Sequence, residues 1–377
     1  MYFSDIKKCI AKILIFINWR TRDALILRIG IISPFNFEEI TMNVTVIGCG
    51  SIGRRHLKGL ESLKDKLGVS EIRAFDTNPE RMEMAVKEAK SIICCESLIN
   101  SIQGVDVVFM CAPTSLHIPI YNEIKLLGEF HIFFEKPLSH TIDGCEQMLF
   151  DQKLKGKQVA VGYMLHHHPV LLSAKDIIDS GQLGRIISVR AECGVYLPQW
   201  HPWEDYRDFY MSWKTGGGGA LLDISHEINY LQWLFGDIEE VQGTVGTFSD
   251  LEITSDDLAL AIVKFKNGTI GQIQLDLLQF ERSRYCKIIG TEGVLIADIA
   301  SNSISYNSVS DPEWKNKKID VDFDKIYHTE YENIFSSFRN NKGYIVSGDD
   351  SYKTMEVIEA IRRSSSYGVR VKLPLYN

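Results

Sequence analysis

The chain has 377 residues, of which 45% are hydrophobic and 24% are charged, and its formal net charge is -8 at pH 7. This length predicts two domains, and the composition is typical of a globular protein without low-complexity tracts. The negative charge disfavours a nucleic-acid partner, because nucleic-acid-binding proteins present a basic face to the phosphates.

Residues 1–41 differ from the rest of the chain. The apolar stretch "IAKILIFINW" is interrupted by Lys12 and Asn18, whereas a membrane-spanning helix needs about 20 consecutive apolar residues. No small-residue cleavage site follows, which disfavours a signal peptide. We therefore expect no membrane span and interpret residues 1–41 as a peripheral extension, with a helix lying on a membrane surface as the alternative.

A glycine-rich turn follows the first clear strand, in "MNVTVIGCGSIGRRHLKGL". Gly48, Gly50 and Gly53 have the GxGxxG spacing, which suits a tight turn, close approach of a pyrophosphate and close packing of helix on strand. Ser51 and Ile52 lie between these glycines and would offer N–H groups of the helix N-terminus to the phosphates. The spacing predicts a dinucleotide site, although a purely structural glycine turn gives the same pattern.

The next strand, "SEIRAFD", ends in Asp76, about 20 residues after the last of these glycines. A carboxylate at this point accepts hydrogen bonds from both hydroxyls of an adenosine ribose and repels a 2'-phosphate. The sequence therefore predicts NAD rather than NADP as the cofactor. Asp76 could also cap the helix that begins in "NPERMEMAVKEA".

Three further apolar runs, at 105–113, 130–137 and 158–163, predict buried parallel strands that alternate with helices. Residues 42–162 thus read as a doubly wound, Rossmann-type domain. Ligands of such sheets bind at the carboxyl ends of the strands. Six residues follow those ends and are expected to border the cofactor: Pro113, Thr114, His117, Glu135, Lys136 and Pro137.

From about residue 163 the pattern changes to alternating strands with tight turns, including Asn267-Gly268, a strong hairpin signal. Residues 163–348 are expected to form an open, mainly antiparallel sheet with helices at 169–181 and 219–234, and to bind substrate. The fold class is α/β plus α+β. Residues 349–368 regain helical periodicity and are expected to pack back on the first domain.

Several motifs occur in an order that resembles one protein family: "GCGSIGRRH", "CAPTSLH", "EKP", "GGGGALLDISHEINYL" and "VIEAIRRS". Together they are similar to the glucose–fructose oxidoreductase / inositol dehydrogenase / MocA-like oxidoreductases, over residues 43–373. The resemblance implies an NAD(P)-dependent dehydrogenase acting on CH–OH groups. It also implies that Lys136, Asp223 and His226 form the catalytic group.

The spacing between Asp223 and His226 departs from that family, which usually has three residues between the two positions where this chain has two. On a helix, either spacing keeps both side chains on one face. If the deletion precedes the aspartate, Leu222 takes its place instead. This helix must come close to the nicotinamide, so glycines 216–219 are expected to remove side chains that would block cofactor and substrate and to let the loop before the helix turn sharply. Asn229 and His167 are expected to shape the substrate pocket.

The implied chemistry is hydride transfer between nicotinamide and a secondary alcohol of a sugar, sugar nucleotide or cyclitol. His226 would take the hydroxyl proton because its pKa lies near neutrality, and Lys136 would stabilise the developing alkoxide. Asp223 would orient one of them or bind a neighbouring hydroxyl. An NAD-dependent glycoside hydrolase and a non-catalytic NAD-sensing regulator of the same fold are the alternatives.

Three other features of the chain bear on binding. The aromatic stretch 196–214, with Arg207, suits a carbohydrate, a subunit interface or an ordered loop equally. Three adjacent histidines, 166–168, would alternate in direction along an extended segment, so we expect no metal site there. The eight cysteines lack a CxxC spacing, which favours buried reduced thiols and a cytoplasmic protein. The open sheet and the resemblance favour a homodimer or homotetramer.

Overall fold

The structure, a computed structural model, describes residues 41–200 and 202–375. The predicted extension therefore lies outside the described residues, apart from Thr41. Strands and helices alternate along the first part: β1 Met42–Ile47, α1 Ser51–Ser62, β2 Val69–Phe75, α2 Pro79–Glu88, β3 Ile93–Cys94, α3 Leu98–Ile102, β4 Val107–Met110, α4 His117–Ile124, β5 His131–Phe134, α5 Cys145–Leu154 and β6 Val159–Val161.

These strands form a six-stranded parallel sheet in the order β3-β2-β1-β4-β5-β6. Every residue of β4, β5 and β6 is buried, as expected for strands that are covered on both faces. The order reverses direction between β1 and β4, and ligands bind at such a reversal, beyond the carboxyl ends of the strands. The predicted Rossmann-type sheet is confirmed.

The second part contains most of the remaining elements: α6 Pro169–Asp179, β7 Ile186–Tyr196, α7 Leu197–Trp200, α8 Ala220–Asp223, α9 His226–Phe235, β8 Ile238–Gly246, β9 Leu258–Phe265, β10 Ile270–Asp276, β11 Leu278–Gly290, β12 Gly293–Asp298, β13 Ser303–Ser308, β14 Asp311–Lys318, α10 Phe323–Asn340, α11 Gly348–Tyr367 and β15 Val371–Lys372. Its sheet is nine-stranded, in the order β14-β13-β12-β11-β7-β10-β9-β8-β15. Only β7 and β10 pair in parallel, so the predicted mainly antiparallel sheet is confirmed.

The predicted hairpin at Asn267-Gly268 joins β9 to β10, which pair antiparallel. Gly268 has a φ of 89°, a left-handed conformation that glycine adopts without steric cost. The alternation along β9 buries Ala261 and Val263 and leaves Ile262 on the other face. One face of this sheet is therefore the core face, and the other is open.

The last two long helices contact the first sheet. Helix α11 begins so close to β6 that a side chain at Gly348 would overlap Leu149 and Val159. Further along the helix, Ser364 Oγ accepts a hydrogen bond from Gly243 N of β8 at 2.9 Å. Helix α11 thus connects both sheets. Helix α10 lies in the range predicted for the second domain, yet its aromatic side chains pack on α1 and β5: the Phe338 ring stacks on His131 at 4.6 Å.

Cysteine burial follows the predicted pattern only in part. Cys49, Cys111, Cys145, Cys193 and Cys286 are free and buried. Cys94 is exposed and Cys95 is half-buried, because β3 is a two-residue strand at the edge of its sheet. Among the residues that the structure describes, no helix has the length and apolar character needed to cross a bilayer.

Candidate active site

The glycine turn after β1 brings two backbone segments into contact. Gly48 has a φ of 95°, and a Cβ on it would lie 2.6 Å from Ala112 N, beyond β4. A Cβ on Gly53 would overlap the carbonyl of Gly48, so α1 packs directly on the turn. Gly50, in contrast, faces open space on the side where a Cβ would project. The two outer glycines are needed for packing, and the middle one leaves room for a ligand.

Gly50 is also the N-cap residue of α1, where no side chain accepts a hydrogen bond from the first turn, and that turn carries no acidic residue. The N–H groups of Ser51 and Ile52 therefore lack a side-chain cap. An uncapped helix N-terminus beside an open glycine suits a pyrophosphate, since its N–H groups and dipole both favour negative charge. The residues present fit the phosphates of a dinucleotide.

Asp76 follows β2 and lies beside this turn. Its Oδ2 accepts a hydrogen bond from Cys49 N at 2.7 Å, and its Oδ1 accepts one from Asn78 N at 2.8 Å. The helix cap is Asn78, whose side chain accepts from Glu80 N and Arg81 N, so the alternative role of Asp76 as the α2 cap is wrong. Two backbone bonds hold its carboxylate beside the glycine turn, the position expected for binding an adenosine ribose.

The residues after β4 divide into an exposed and a buried set. Pro113 is exposed and Thr114 is buried at the start of a short turn. His117 is buried, with Nε2 3.0 Å from the Ala112 carbonyl oxygen and Nδ1 3.1 Å from that of Leu138. Both ring nitrogens face backbone carbonyls, and the contact of His117 with the cofactor stays a prediction. Its ring joins the end of β4 to the segment after Lys136.

Glu135 is oriented by its surroundings. One carboxylate oxygen lies 2.7 Å from His56 Nε2, and the other accepts a hydrogen bond from Lys136 N at 3.0 Å. The other ring nitrogen of His56 lies 3.0 Å from the Tyr331 hydroxyl. The sequence patterns did not identify His56 or Tyr331, which come from α1 and α10. Their contact orders the segment that presents Lys136.

Lys136 lies two residues beyond the end of β5 and points into the protein. Its Nζ donates a hydrogen bond of 2.7 Å to the backbone carbonyl of Asp223. The lysine side chain is therefore directed into the protein and does not extend to solvent. An ammonium group has three donors, so two remain for a ligand.

The predicted helix at 219–234 is broken. Asp223 ends α8, His226 begins α9, and Ile224 and Ser225 lie between the two helices. The argument that both side chains share one helix face therefore does not apply. Both nevertheless line the same cavity as Lys136. Leu222 does not line it and is buried in the core, which favours Asp223 over Leu222 as the counterpart of the family's aspartate.

The four glycines before α8 pack against the protein. Gly217 and Gly219 have φ values of 82° and 118°, so the predicted sharp turn is present. A side chain on Gly218 would overlap the Met211 backbone, and one on Gly219 would lie 2.5 Å from Asp256 Oδ1. The side chains missing at Gly218 and Gly219 would thus meet the loop before α8 and the segment before β9, and one on Gly217 would lie 2.7 Å from His140 Cβ and 3.3 Å from Thr114 Cβ. These contacts are with protein segments, so the glycines allow close packing of the backbone, and the expected room for substrate and cofactor stays a prediction.

The Asp223 carboxylate is buried and has two donors. Tyr210 donates its hydroxyl to Oδ1 at 2.7 Å, and Gly219 N donates to Oδ2 at 3.1 Å. Burial raises the pKa of Asp223 to about 6, while the Lys136 cation and the Tyr210 hydrogen bond oppose that rise. The group is therefore ionised at neutral pH and becomes protonated in mild acid.

His226 differs from its expected state. Burial, followed by the positive charges of Arg284 and Lys136, holds its pKa well below 6.5, so the expectation of a pKa near neutrality is not reproduced. Among the described residues its Nδ1 is buried without a hydrogen-bond partner, and the side chain lines the cavity. A neutral imidazole has one unprotonated nitrogen and can accept a proton there.

The cavity shared by these residues has a volume of about 450 Å³. Its lining comes from both sheets and from the segments between them: Lys136, Cys193, Val195, Tyr196, Gln199, Trp200, Asp223, Ile224, His226, Gln279, Phe280, Arg282 and Arg284. Arg284 binds the buried Glu227 through two hydrogen bonds, of 2.7 and 3.1 Å. The sequence pattern of β11 did not identify Arg282 and Arg284 as lining residues. An alternating strand pattern does not show which of its side chains reach a cavity.

Three predicted substrate residues lie elsewhere. His167 is buried, with Nε2 3.3 Å from the Tyr344 hydroxyl. Asn229 uses its amide on His166 Nε2 at 2.7 Å and on Thr354 Oγ1 at 3.0 Å. Arg207 is half exposed and binds Asp205 and Glu252 at the surface. None of the three predicted residues lines the cavity, because each is bound to other partners.

The three adjacent histidines have separate environments. Residues 164–167 form a 3-10 turn, so the expected extended conformation is wrong. His166 contacts Asn229, His167 contacts Tyr344, and His168 Nδ1 accepts a hydrogen bond from Val170 N at 3.3 Å. Within 41–200 and 202–375, no group of three or more metal-ligating side chains is brought together.

The fold combines a dinucleotide-type parallel sheet with a second large sheet, and one cavity holds a lysine, a carboxylate and an imidazole. These features define the class of the protein as a nicotinamide-dependent oxidoreductase. The chain belongs to the glucose–fructose oxidoreductase / inositol dehydrogenase / MocA family. Residues 42–163 match the family model for its NAD-binding Rossmann fold, and residues 175–373 match that for its C-terminal alpha/beta domain. The predicted family, oxidoreductase class and NAD cofactor are thereby confirmed.

Named relatives are distant but cover most of the chain. Inositol 2-dehydrogenase of Salmonella typhimurium is 25% identical over 83% of this chain and 90% of its own length. The scyllo-inositol 2-dehydrogenase (NAD(+)) of Bacillus subtilis is 25% identical over 89% of this chain and 97% of its own.

Two solved structures share the fold. Levoglucosan dehydrogenase in complex with NADH and levoglucosan has a TM-score of 0.79 at 20% identity, covering 89% of this chain and 100% of that chain. The WlbA dehydrogenase from Bordetella pertussis in complex with NADH and UDP-GlcNAcA has a TM-score of 0.74 at 24% identity, covering 89% and 99%.

Proposed function

We propose that the protein transfers a hydride between NAD and a secondary alcohol of a sugar, sugar nucleotide or cyclitol. One observation carries the proposal: Lys136, Asp223 and His226, from three separate elements, line one cavity. A cation, a carboxylate and a neutral imidazole together can bind a hydroxyl group and remove its proton.

The roles follow from the state of each group. Bound NAD supplies the hydride acceptor. His226, neutral because of burial and two nearby cations, accepts the hydroxyl proton at Nε2. Lys136 keeps two N–H donors free and stabilises negative charge on the same oxygen. Asp223, whose backbone carbonyl holds Lys136, offers its carboxylate to the adjacent hydroxyl of the substrate.

A carbohydrate suits the wall of the cavity. The ring centroids of Tyr196 and Phe280 lie 4.1 Å apart, and both rings line the cavity together with Trp200. Aromatic faces bury the apolar face of a sugar ring while polar groups bind its hydroxyls. Two of the relatives are named for inositol and levoglucosan, and a third was solved in complex with UDP-GlcNAcA; these compounds belong to the three classes we propose.

A substrate panel tests the proposal. Purified protein with NAD is incubated with cyclitols, free sugars and nucleotide sugars, and NADH formation is followed by absorbance. We expect stoichiometric NADH and a keto product with at least one class. Glycoside cleavage without net NADH would instead identify the hydrolase alternative. NADH binding without turnover on any member of a broad panel would favour the regulator.

The open sheet face leads us to propose a homodimer or homotetramer. On this face Leu260 is 38% exposed, Ile262 is 52% exposed and Ile270 is 43% exposed, and neighbouring exposed apolar side chains commonly mark an interface. Light scattering at micromolar concentration should report a mass above that of one chain. Ile262→Lys should lower that mass, whereas Val309→Lys, at an exposed turn, should not. A monomeric native protein would contradict the proposal.

We also propose a cytoplasmic location. The free cysteines Cys94 and Cys95 fit that compartment, because thiols stay reduced there.

A further inference from the structure

Tyr210 belongs to the aromatic stretch 196–214, to which the sequence assigned no single role. It begins a short 3-10 turn, Tyr210–Ser212. The turn is held from outside: Ser255 Oγ donates to the Met211 carbonyl at 2.6 Å, and Thr254 N donates to the Ser212 carbonyl at 2.8 Å. The Tyr210 ring therefore has a defined position next to α8.

The Tyr210 hydroxyl donates to Asp223 Oδ1 at 2.7 Å. Burial and the neighbouring Asp223 charge raise the pKa of this phenol well above 10, so the phenol remains protonated. An ionised carboxylate only accepts hydrogen bonds. Tyr210 is therefore the donor and Asp223 the acceptor, an arrangement that stabilises the charged form of Asp223.

Other groups act on Asp223 from the surrounding elements. Lys136 contacts its backbone carbonyl and favours the ionised form, and Asp256 opposes it. The cavity wall adds the cation Arg284 and the neutral His226. In the part of the chain that the structure describes, Tyr210 is the single side chain that donates a hydrogen bond to this carboxylate.

We propose that Tyr210 is a positioning residue for the proposed reaction: its hydroxyl orients the Asp223 carboxylate in the cavity and keeps it ionised at neutral pH. The inference rests on the proposed function, because it assumes that ionised Asp223 supports turnover. It assigns a role to a residue of the aromatic stretch that itself does not line the cavity.

The variant Tyr210→Phe removes the hydroxyl and keeps the ring. Loss of a charge-assisted hydrogen bond is expected to raise the pKa of Asp223 by about one unit, from its present value of about 6. The acid limb of kcat/KM should move upward by the same amount. Activity lost at pH 7 should therefore return at higher pH, which a damaged fold would not show.

Tyr206→Phe is the matched control. Tyr206 lies on the same loop, and its hydroxyl accepts a hydrogen bond from Glu252 N at 3.3 Å without contacting Asp223. We expect its pH profile to match that of the native protein. Equal upward shifts in both variants, or no shift in Tyr210→Phe, would overturn the proposal. Adding Tyr210→Phe to Asp223→Asn should cause no further shift.

A second measurement does not depend on turnover. Protein labelled with ¹³C at the aspartate carboxyl carbons is titrated by NMR, and the Asp223 signal is assigned by its loss in Asp223→Asn. We expect that signal to titrate at higher pH in Tyr210→Phe and unchanged in Tyr206→Phe. An unchanged Asp223 titration in Tyr210→Phe overturns the positioning role. A shifted titration in a protein that oxidises no alcohol instead contradicts the proposed function.

Discussion

His226→Ala and Lys136→Ala are each expected to lower turnover by about 100-fold or more, the usual order for the loss of a general base or of a group that stabilises an oxyanion. Both side chains line the same cavity, and neither is part of the glycine turn. NADH affinity should therefore change little. Steady-state kinetics on the substrate found by the panel, with NADH titration by fluorescence, measures both quantities.

His328→Ala is the control for the histidine change. His328 lies on α10 and does not line the cavity, so its loss should leave turnover near the native value. Asp223→Ala should also reduce activity, with part of the effect on KM because the carboxylate faces the substrate. Near-native turnover in His226→Ala would show that the base is a different residue. His167, which was expected to shape the substrate pocket, has its Nε2 3.3 Å from the Tyr344 hydroxyl.

Asp76 is expected to make NAD(H) bind more tightly than NADP(H), by about 10-fold or more, since the carboxylate would face a 2'-phosphate in place of a hydroxyl. Asp76→Asn keeps the size of the side chain and removes its charge. Arg81, whose Nη1 lies 4.0 Å from Asp76 Oδ2, then becomes available to the phosphate. The variant should narrow or reverse the preference, measured by fluorescence titration of both cofactors.

The control for this change removes the cation as well. Arg81→Gln in the Asp76→Asn background should cancel the gain in NADP(H) affinity while leaving the loss of ribose binding. Equal or tighter binding of NADP(H) by the native protein would disprove the predicted preference. An unchanged preference in Asp76→Asn would place the discrimination at another residue.

Local sequence determined the first sheet and the phosphate-binding turn. Strands such as β4 are apolar throughout, because both faces of a parallel sheet are covered. Gly53 is needed where α1 packs on the carbonyl of Gly48, within one strand–turn–helix unit, so the glycine spacing carries the prediction, although Gly48 itself packs on Ala112 beyond β4. The same holds for Asp76, at the end of the neighbouring strand. These features depend on residues close together in the chain.

Motif order also indicated three candidate residues that line the cavity, namely Lys136, Asp223 and His226. The tertiary structure decided how they are arranged. Lys136 meets the carbonyl of Asp223 across 87 positions of chain, and the break at Ile224–Ser225 puts the aspartate and the histidine on different helices. Helical periodicity alone gave one continuous helix, because a short interruption inside an apolar run leaves the pattern unchanged.

Burial and partners far away in the sequence decided the protonation states and the contacts of the candidate residues. The pKa of His226 lies well below its usual range because the folded chain encloses it and brings Arg284 and Lys136 near, which no local pattern shows. Arg207 appeared suited to a carbohydrate by composition, yet Asp205 and Glu252 bind it at the surface. The sequence by itself determined the fold class, the cofactor and the candidate residues, since periodicity and motif spacing are local. Their protonation, orientation and partners arise only where segments far apart in the chain meet.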